Sequence, residues 1–461
     1  MNTKIVLKFA SFSLLLVLTI GLAGTAAAQS KKDVRKAKSL VEQADKQAGQ
    51  KNFKAAIDLY AQAIVLNPNY PYAHFQKGKA HYFLKEYEQA ITELDIALAQ
   101  GHPAPEVYDV RWQAHYYRGD YDAASEDIKL APKSDSLERS RFLAQISYGK
   151  GDYPAALDEF QKAAEATPNN ADIFYRIAET QSKLGNVDGQ LAAANEAVKR
   201  HTQFLGEAYF LIGDAYQKRS MPTEAADAYN RALSAKPDML AAYRNLAEIY
   251  RGQNKFADAI ETSRKAIRLF PRNATLYTDI SMYYSLADRN VDAIQAAQAA
   301  ITYEPNGYLA YTNLCRAYNE TKQYAMAVNS CNSALKLKPD DGETYFYLGR
   351  AYDLLGKTDD ATKAYKKAVV GLESQVQVGR ATWDVYYLLG NAYFADNQRE
   401  KAIEAYSKCL ELSPRFAKAR YNLGIILVLK RDKAGAGLQY NSLLALDQNL
   451  AAKLKSEIDK L

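Results

Sequence analysis

Small and large apolar positions recur along residues 37–448 with a period near 34, and inside each period they follow helical spacing. Twelve units begin at Ala37, Pro71, Pro105, Leu137, Ala171, Gly206, Leu240, Ala274, Tyr308, Gly342, Trp383 and Ala417; eight of the eleven steps are 34 residues, the others 32, 35 and 41. The eighth position is small nearly throughout, as at Ala44, Gly78, Gly213, Ser281, Cys315, Gly349 and Gly390. The twentieth is Ala in eleven units and the twenty-seventh is Ala in ten. Small residues on facing stripes predict two closely packed antiparallel helices per unit, with the eighth position level with the twentieth. Large residues such as Tyr209, Tyr216 and Tyr229 fill the gaps. Pro237, Pro271, Pro305 and Pro339 fall 34 residues apart and stop the second helix, which proline cannot continue.

This pattern resembles the tetratricopeptide repeat, a 34-residue helix–turn–helix with small, aromatic and closing proline sites. Gly213-Asp214-Ala215-Tyr216 with Ala225, Tyr229, Ala232 and Pro237 carries the resemblance, as does Gly390-Asn391-Ala392-Tyr393 with Ala402, Tyr406 and Pro414. It implies an all-α fold: a solenoid, a right-handed superhelix of stacked antiparallel helix pairs, ended by a capping helix. Residues 449–461 read as that cap, because a terminal unit must cover its apolar side. Leu450, Leu454, Ile458 and Leu461 share one face there.

Three irregularities suggest blocks at 37–136, 137–382 and 383–448, preceded by a linker at 29–36. Trp112 occupies the small eighth site of its unit, which Pro132 cuts short; a ring there should push the two helices apart. Gln190 stands where Ala is expected. The 41-residue step carries extra residues near 371–381, read as an extended helix or a protruding loop.

Residues 1–28 read as an export signal. Lys4 and Lys8 precede an apolar run from Phe9 to Ala23, and Ala26-Ala27-Ala28 suits cleavage before Gln29. The alternative is an uncleaved anchor, since Ile5–Ala28 is long enough to span a bilayer. An exported chain, periplasmic or secreted, is the expectation, with no membrane span after cleavage.

Composition removes several function classes. The chain has 461 residues, 48% hydrophobic and 24% charged, with 35 Tyr against 2 Trp. Its net charge is +6, or +4 once the two leader lysines are set aside, spread over 59 basic and 53 acidic residues. That is no footprint for nucleic acid. No phosphate loop, HExxH, G-x-S-x-G or metal-spaced cysteine pair occurs, so no catalytic residue, cofactor or metal is assigned and the chain reads as non-enzymatic. His81 and His115 share the eleventh site of adjacent units and read as core filling. Cys315 and Cys331 come out at borderline disulfide distance in this register, so a bridge and two buried thiols both remain open.

Candidate binding residues come from the second, fifth, ninth and twelfth positions, which line the groove of such a stack. Phe75, Tyr82, Tyr116 and Tyr148 form a first aromatic strip. Arg244, Arg251, Arg316 and Arg350 form a basic middle patch with Asn313, suited to an acidic segment. Phe346, Tyr387, Phe394 and Tyr421 form a second strip. Aromatic and arginine side chains are typical binding anchors, although contacts inside the superhelix would equally cover them. The function expected is a scaffold that binds an extended peptide or protein partner in its groove, in envelope assembly or secretion. The alternative is an accessory subunit of an envelope enzyme complex, for example one acting on polysaccharide, with catalysis on another chain.

Overall fold

The structure, a computed structural model, describes residues 30–131, 136–379 and 381–461. The expected export signal, Gln29 and Pro132 lie outside them. The chain divides into two compact units, the first ending at Ala163 and the second running Ala164–Leu461.

In the first unit the helices are α1 (Lys31–Gly49), α2 (Phe53–Leu66), α3 (Pro71–Phe83), α4 (Tyr87–Ala99), α5 (Ala104–Arg118), α6 (Tyr121–Leu130), α7 (Ser136–Lys150) and α8 (Tyr153–Ala166), whose last turn crosses into the second unit. Most of the expected linker is helical: the Ser30 hydroxyl accepts from the Asp33 N–H and starts α1 at Lys31.

The second unit continues with α9 (Ala171–Lys183), α10 (Val187–Lys199), α11 (Leu205–Lys218), α12 (Pro222–Ala235), α13 (Leu240–Gly252), α14 (Phe256–Leu269), α15 (Ala274–Leu286), α16 (Asn290–Tyr303), α17 (Tyr308–Glu320), α18 (Tyr324–Leu337), α19 (Gly342–Leu354) and α20 (Thr358–Gln377). It ends with α21 (Trp383–Ala395), α22 (Arg399–Leu412), α23 (Ala417–Leu429), α24 (Lys433–Leu444) and α25 (Gln448–Ile458). Among the described residues there are 25 helices and no strand.

From α1 to α24, each odd helix turns into the next even one through a link of two or three residues that holds one left-handed residue. Asn254 at φ 58° is typical: its N–H donates to the Arg251 carbonyl, and the Lys255 N–H to the Tyr250 carbonyl. These bonds satisfy carbonyls left open at the helix end.

The small eighth position meets the twentieth, as the Ser281 hydroxyl donating to the Ala293 carbonyl at 2.9 Å shows, and packs against the twenty-fourth as well. A Cβ on Gly213 would lie 2.7 Å from the Tyr229 ring, and one on Gly390 would lie 2.7 Å from the Tyr406 ring. Both tyrosines are fully buried. This register settles the cysteines, which hold the same two positions of one unit. Cys315 and Cys331 are disulfide-bonded with Cα atoms 5.3 Å apart, leaving Cys409 as a buried free thiol. At Trp112 the bulk moves from the twenty-fourth position to the eighth. Its ring packs with Ile128 and Phe142, and α5 and α6 stay in contact around it.

The extra residues after Ala368 extend α20 rather than form a loop. Gly371 makes this possible by crossing Gly342 so closely that a Cβ on it would sit 2.7 Å from the Gly342 Cα. One continuous core from Leu286 to Ile426 runs across the block boundary expected at 382/383. The cap α25 seats Ala451, Leu454 and Ile458 against α23 and α24, with Leu450 partly buried; Leu461 is exposed. No helix among the described residues is long and apolar enough to cross a membrane.

Candidate functional site

The first aromatic strip is not one surface. Phe75 is buried, its ring 4.2 Å from His102 and packed on Leu94, Ala97 and Val107. Tyr82, Tyr116 and Tyr148 end their helices against the tyrosine that opens the next one. Tyr82 lies 6.2 Å from Tyr87, Tyr116 5.7 Å from Tyr121, and Tyr148 5.4 Å from Tyr153. The Tyr82 hydroxyl donates to Gln113 at 2.8 Å, and burial with Tyr117 and Tyr87 nearby pushes its pKa up to about 12. Tilted and edge-on aromatic pairs of this kind fasten a helix–helix turn.

The basic middle patch is occupied by the chain's own carboxylates and rings. Arg244 pairs with Asp279 at 2.8 Å, and Arg350 with Glu320 at 2.6 Å. Arg316 lies 5.7 Å from the Tyr347 ring. Asn313 is buried and donates to the Thr278 carbonyl. Arg251 is 6% exposed, held by Glu248 and, at 3.0 Å, by Asp384. Burial disfavours its charge, but Asp384 and Glu248 outweigh that and bind the guanidinium proton more firmly.

The Arg251–Asp384 bridge belongs to a seam between the α13–α15 edge and the α21–α23 edge. Arg251 also lies 5.2 Å from the Trp383 ring, Asn254 donates to the Ser413 hydroxyl at 3.1 Å, and Lys418 pairs with Asp288 at 2.7 Å.

The second strip does converge. Phe346, Tyr387, Phe394 and Tyr421, together with Arg350, line one cavity of about 670 Å³. Helices α19, α21 and α23 supply these residues, Ile425, Val428 and Leu429 continue the apolar wall, and Glu457 of α25 closes one side. A polar floor crosses it: the Tyr406 hydroxyl donates to Asn391 Oδ1 at 2.6 Å, and Asn422 donates to the same oxygen at 2.9 Å. Burial raises the pKa of both Tyr387 and Tyr406, which favours their neutral hydroxyls. Phe394 stays 38% exposed because the seventeenth position of its unit is Arg399, not the tyrosine that covers Tyr82, Tyr116 and Tyr148. An apolar, aromatic-walled cavity with a few fixed polar groups is suited to holding a side chain or short segment.

No group of three or more His, Cys, Asp or Glu side chains among the described residues is placed to hold a metal. His81 instead meets Glu86 at 2.7 Å, and His115 lies 3.6 Å from Asp120, each partner belonging to its own unit's turn.

The acidic residues of the interior escaped the sequence reading. Glu343 and Asp384 hold the second position of successive units, and Glu248 holds a ninth position. These are lining positions by the same rule that selected the arginines, so reading both signs there would have found them. Burial, with Asp341 and Asp384 adding to it, raises the Glu343 pKa from 4.5 to about 7 against the pull of Arg316 and Arg251. Glu343 is only partly exposed, and that loss of hydration disfavours its charge.

Comparison with known proteins gives one consistent result. A pattern described as TPR repeat matches residues 144–185 and 384–430, and tetratricopeptide-repeat patterns match 47–114, 210–274, 308–341 and 343–369. Hsc70-interacting protein 1 of Drosophila melanogaster is 33% identical over 111 residues, covering 24% of this chain and 29% of that protein. The chain thus spans less than a third of that relative's length. The DnaJ protein P58IPK homolog A of Oryza sativa subsp. japonica is 24% identical over 204 residues, 39% of this chain and 43% of that one. A solved tetratricopeptide repeat protein from Parabacteroides merdae is 14% identical and covers 56% of this chain and 98% of its own, with a TM-score of 0.45.

Proposed function

The chain belongs to the tetratricopeptide-repeat family, and from that premise we propose that it is a non-enzymatic scaffold that holds a bulky apolar side chain of a partner protein in the α19–α21–α23 cavity. One observation carries the reading: four aromatic residues and Arg350, chosen from sequence as groove-lining, line a single cavity that the fold does not fill. Rings fixed by helix packing bind with little ordering cost, because their rotamers are already set. The Asn391–Asn422–Tyr406 floor offers polar groups to the main chain flanking such a side chain.

Export to the envelope is part of the same proposal, supported by Lys4, Lys8, the apolar run and Ala26-Ala27-Ala28. A photo-crosslinking residue at position 394 tests the site, with fractionation and N-terminal sequencing in parallel. The expected outcome is one discrete adduct, lost on Tyr387→Ala and Tyr421→Ala, from a mature chain beginning at Gln29. Adducts unchanged by both substitutions count against the cavity, an intact leader counts against cleavage, and a chain confined to the cytoplasmic fraction counts against export.

A further inference from the structure

A smaller cavity of about 310 Å³ lies in the first unit among α1, α2 and α3, and Phe53, Tyr60, Tyr72 and Phe83 supply its rings. Phe53 opens α2 and Phe83 closes α3, and the two stack with centroids 4.9 Å apart. Phe83 is 54% exposed and Tyr72 37%, so both keep surface that a ligand can cover.

Among the described residues Asp45 is the one carboxylate and Lys79 the one cation in this lining. The fold gives Asp45 hydroxyls in place of a counter-charge. Tyr60 donates to one of its oxygens at 2.5 Å and Tyr72 to the other at 3.2 Å. Gln76 donates to the Tyr72 hydroxyl at 2.9 Å, which leaves the Tyr72 proton for Asp45. Lys79 holds its ammonium 5.3 Å from the Phe75 ring, and among the described residues no cation pairs with Asp45. Burial raises the pKa of Tyr60, Tyr70 and Tyr72, and the uncompensated Asp45 charge adds to each. Each carboxylate oxygen can accept about two hydrogen bonds, so each keeps one site free.

We propose that this cavity binds an arginine side chain of a protein partner. A guanidinium sets two parallel N–H donors on the two Asp45 oxygens while its flat face meets the rings; an ammonium brings a point charge and no plane. Rings around a cation add their own attraction. The site takes a different class of side chain from the α19–α21–α23 cavity and does not rest on the role proposed for it.

Saturation-transfer NMR titrations on the full chain read this binding, with N-acetyl-arginine methylamide as the probe. The citrulline analogue keeps the shape and removes the charge, and the lysine analogue keeps the charge and removes the plane. The arginine probe should bind, and both analogues should bind at least about fivefold more weakly. Asp45→Asn should weaken the arginine probe about tenfold, and Phe83→Ala about threefold. Asp58→Asn removes the same charge from an exposed position of α2 and should leave the affinity unchanged. Should Asp45→Asn lose helix by circular dichroism, Phe83→Ala carries the test, because its ring is exposed. A parent that does not bind the arginine probe overturns the proposal. So does an affinity that Asp45→Asn leaves unchanged or that Asp58→Asn lowers as much, and so does a citrulline or lysine analogue that binds as tightly as arginine.

Discussion

Arg251 and Asp384 stand 133 residues apart in the chain and 3.0 Å apart in the fold. They join the end of α13 to the start of α21, so the groove between them is bounded by the protein's own charges. Arg251 is nearly excluded from water, and removing its partner would strand a buried charge.

Breaking that pair is therefore costly. Arg251→Ala should lower the stability of the second unit by about 3 kcal/mol, because the seam loses a buried guanidinium that packs on the Trp383 ring and donates to both Glu248 and Asp384. Replacing exposed Arg244, paired with Asp279, should cost under about 1 kcal/mol. Urea denaturation of the two variants checks the contrast, and equal losses would remove the special place of the seam.

The crossing of Gly342 and Gly371 predicts opposite outcomes for one chemical change. Gly371→Ala should destabilise by about 1–3 kcal/mol, since the new methyl meets backbone that cannot yield. Gly437→Ala, in α24 with open space around its Cβ position, should stabilise by about 0.5–1 kcal/mol by restricting the unfolded chain. Thermal melts of both variants give the comparison.

The disulfide predicts a thiol count. Under denaturing, non-reducing conditions one thiol, Cys409, should react, and three should react after reduction. Burial and the nearby Asp384 push the Cys409 pKa up to about 12, so it should be inert in the folded chain at neutral pH. Reduction should cost about 3 kcal/mol, the loop-closure entropy of a bridge between residues 16 apart.

Glu343 predicts a pH dependence with a definite sign. Its pKa is raised in the folded state to about 7 from 4.5, so between these values the folded protein binds more protons than the unfolded one. Stability should fall as pH rises through that window. Glu343→Gln carries no such titration, and its stability relative to the parent should improve by about 2 kcal/mol between pH 5 and pH 8, allowing for screening by groove water.

The repeat made the pair architecture readable because every unit must solve the same packing problem. Gly213 facing Tyr229 and Gly390 facing Tyr406 are one solution used twice. What spacing left open was how closely the twenty-fourth position approaches the eighth, and that left Cys315–Cys331 undecided. The second strip was legible because Phe346, Tyr387 and Tyr421 share the fifth position of three successive units. Phe75 shares that position too, yet His102 and the core of its unit cover it. The seam was not legible at all. It depends on how small rotations between units add up over more than 130 residues, and no periodic signal records that sum.

The most direct test of the binding role is selection of a random peptide display library against the second unit's cavity in the full chain. Enriched peptides should share a bulky apolar or aromatic residue and lose at least tenfold in affinity to Phe394→Ala/Tyr421→Ala, with Arg244→Ala unchanged as the control. No enrichment, or peptides that bind the double variant as tightly as the parent, would contradict a binding function for this cavity.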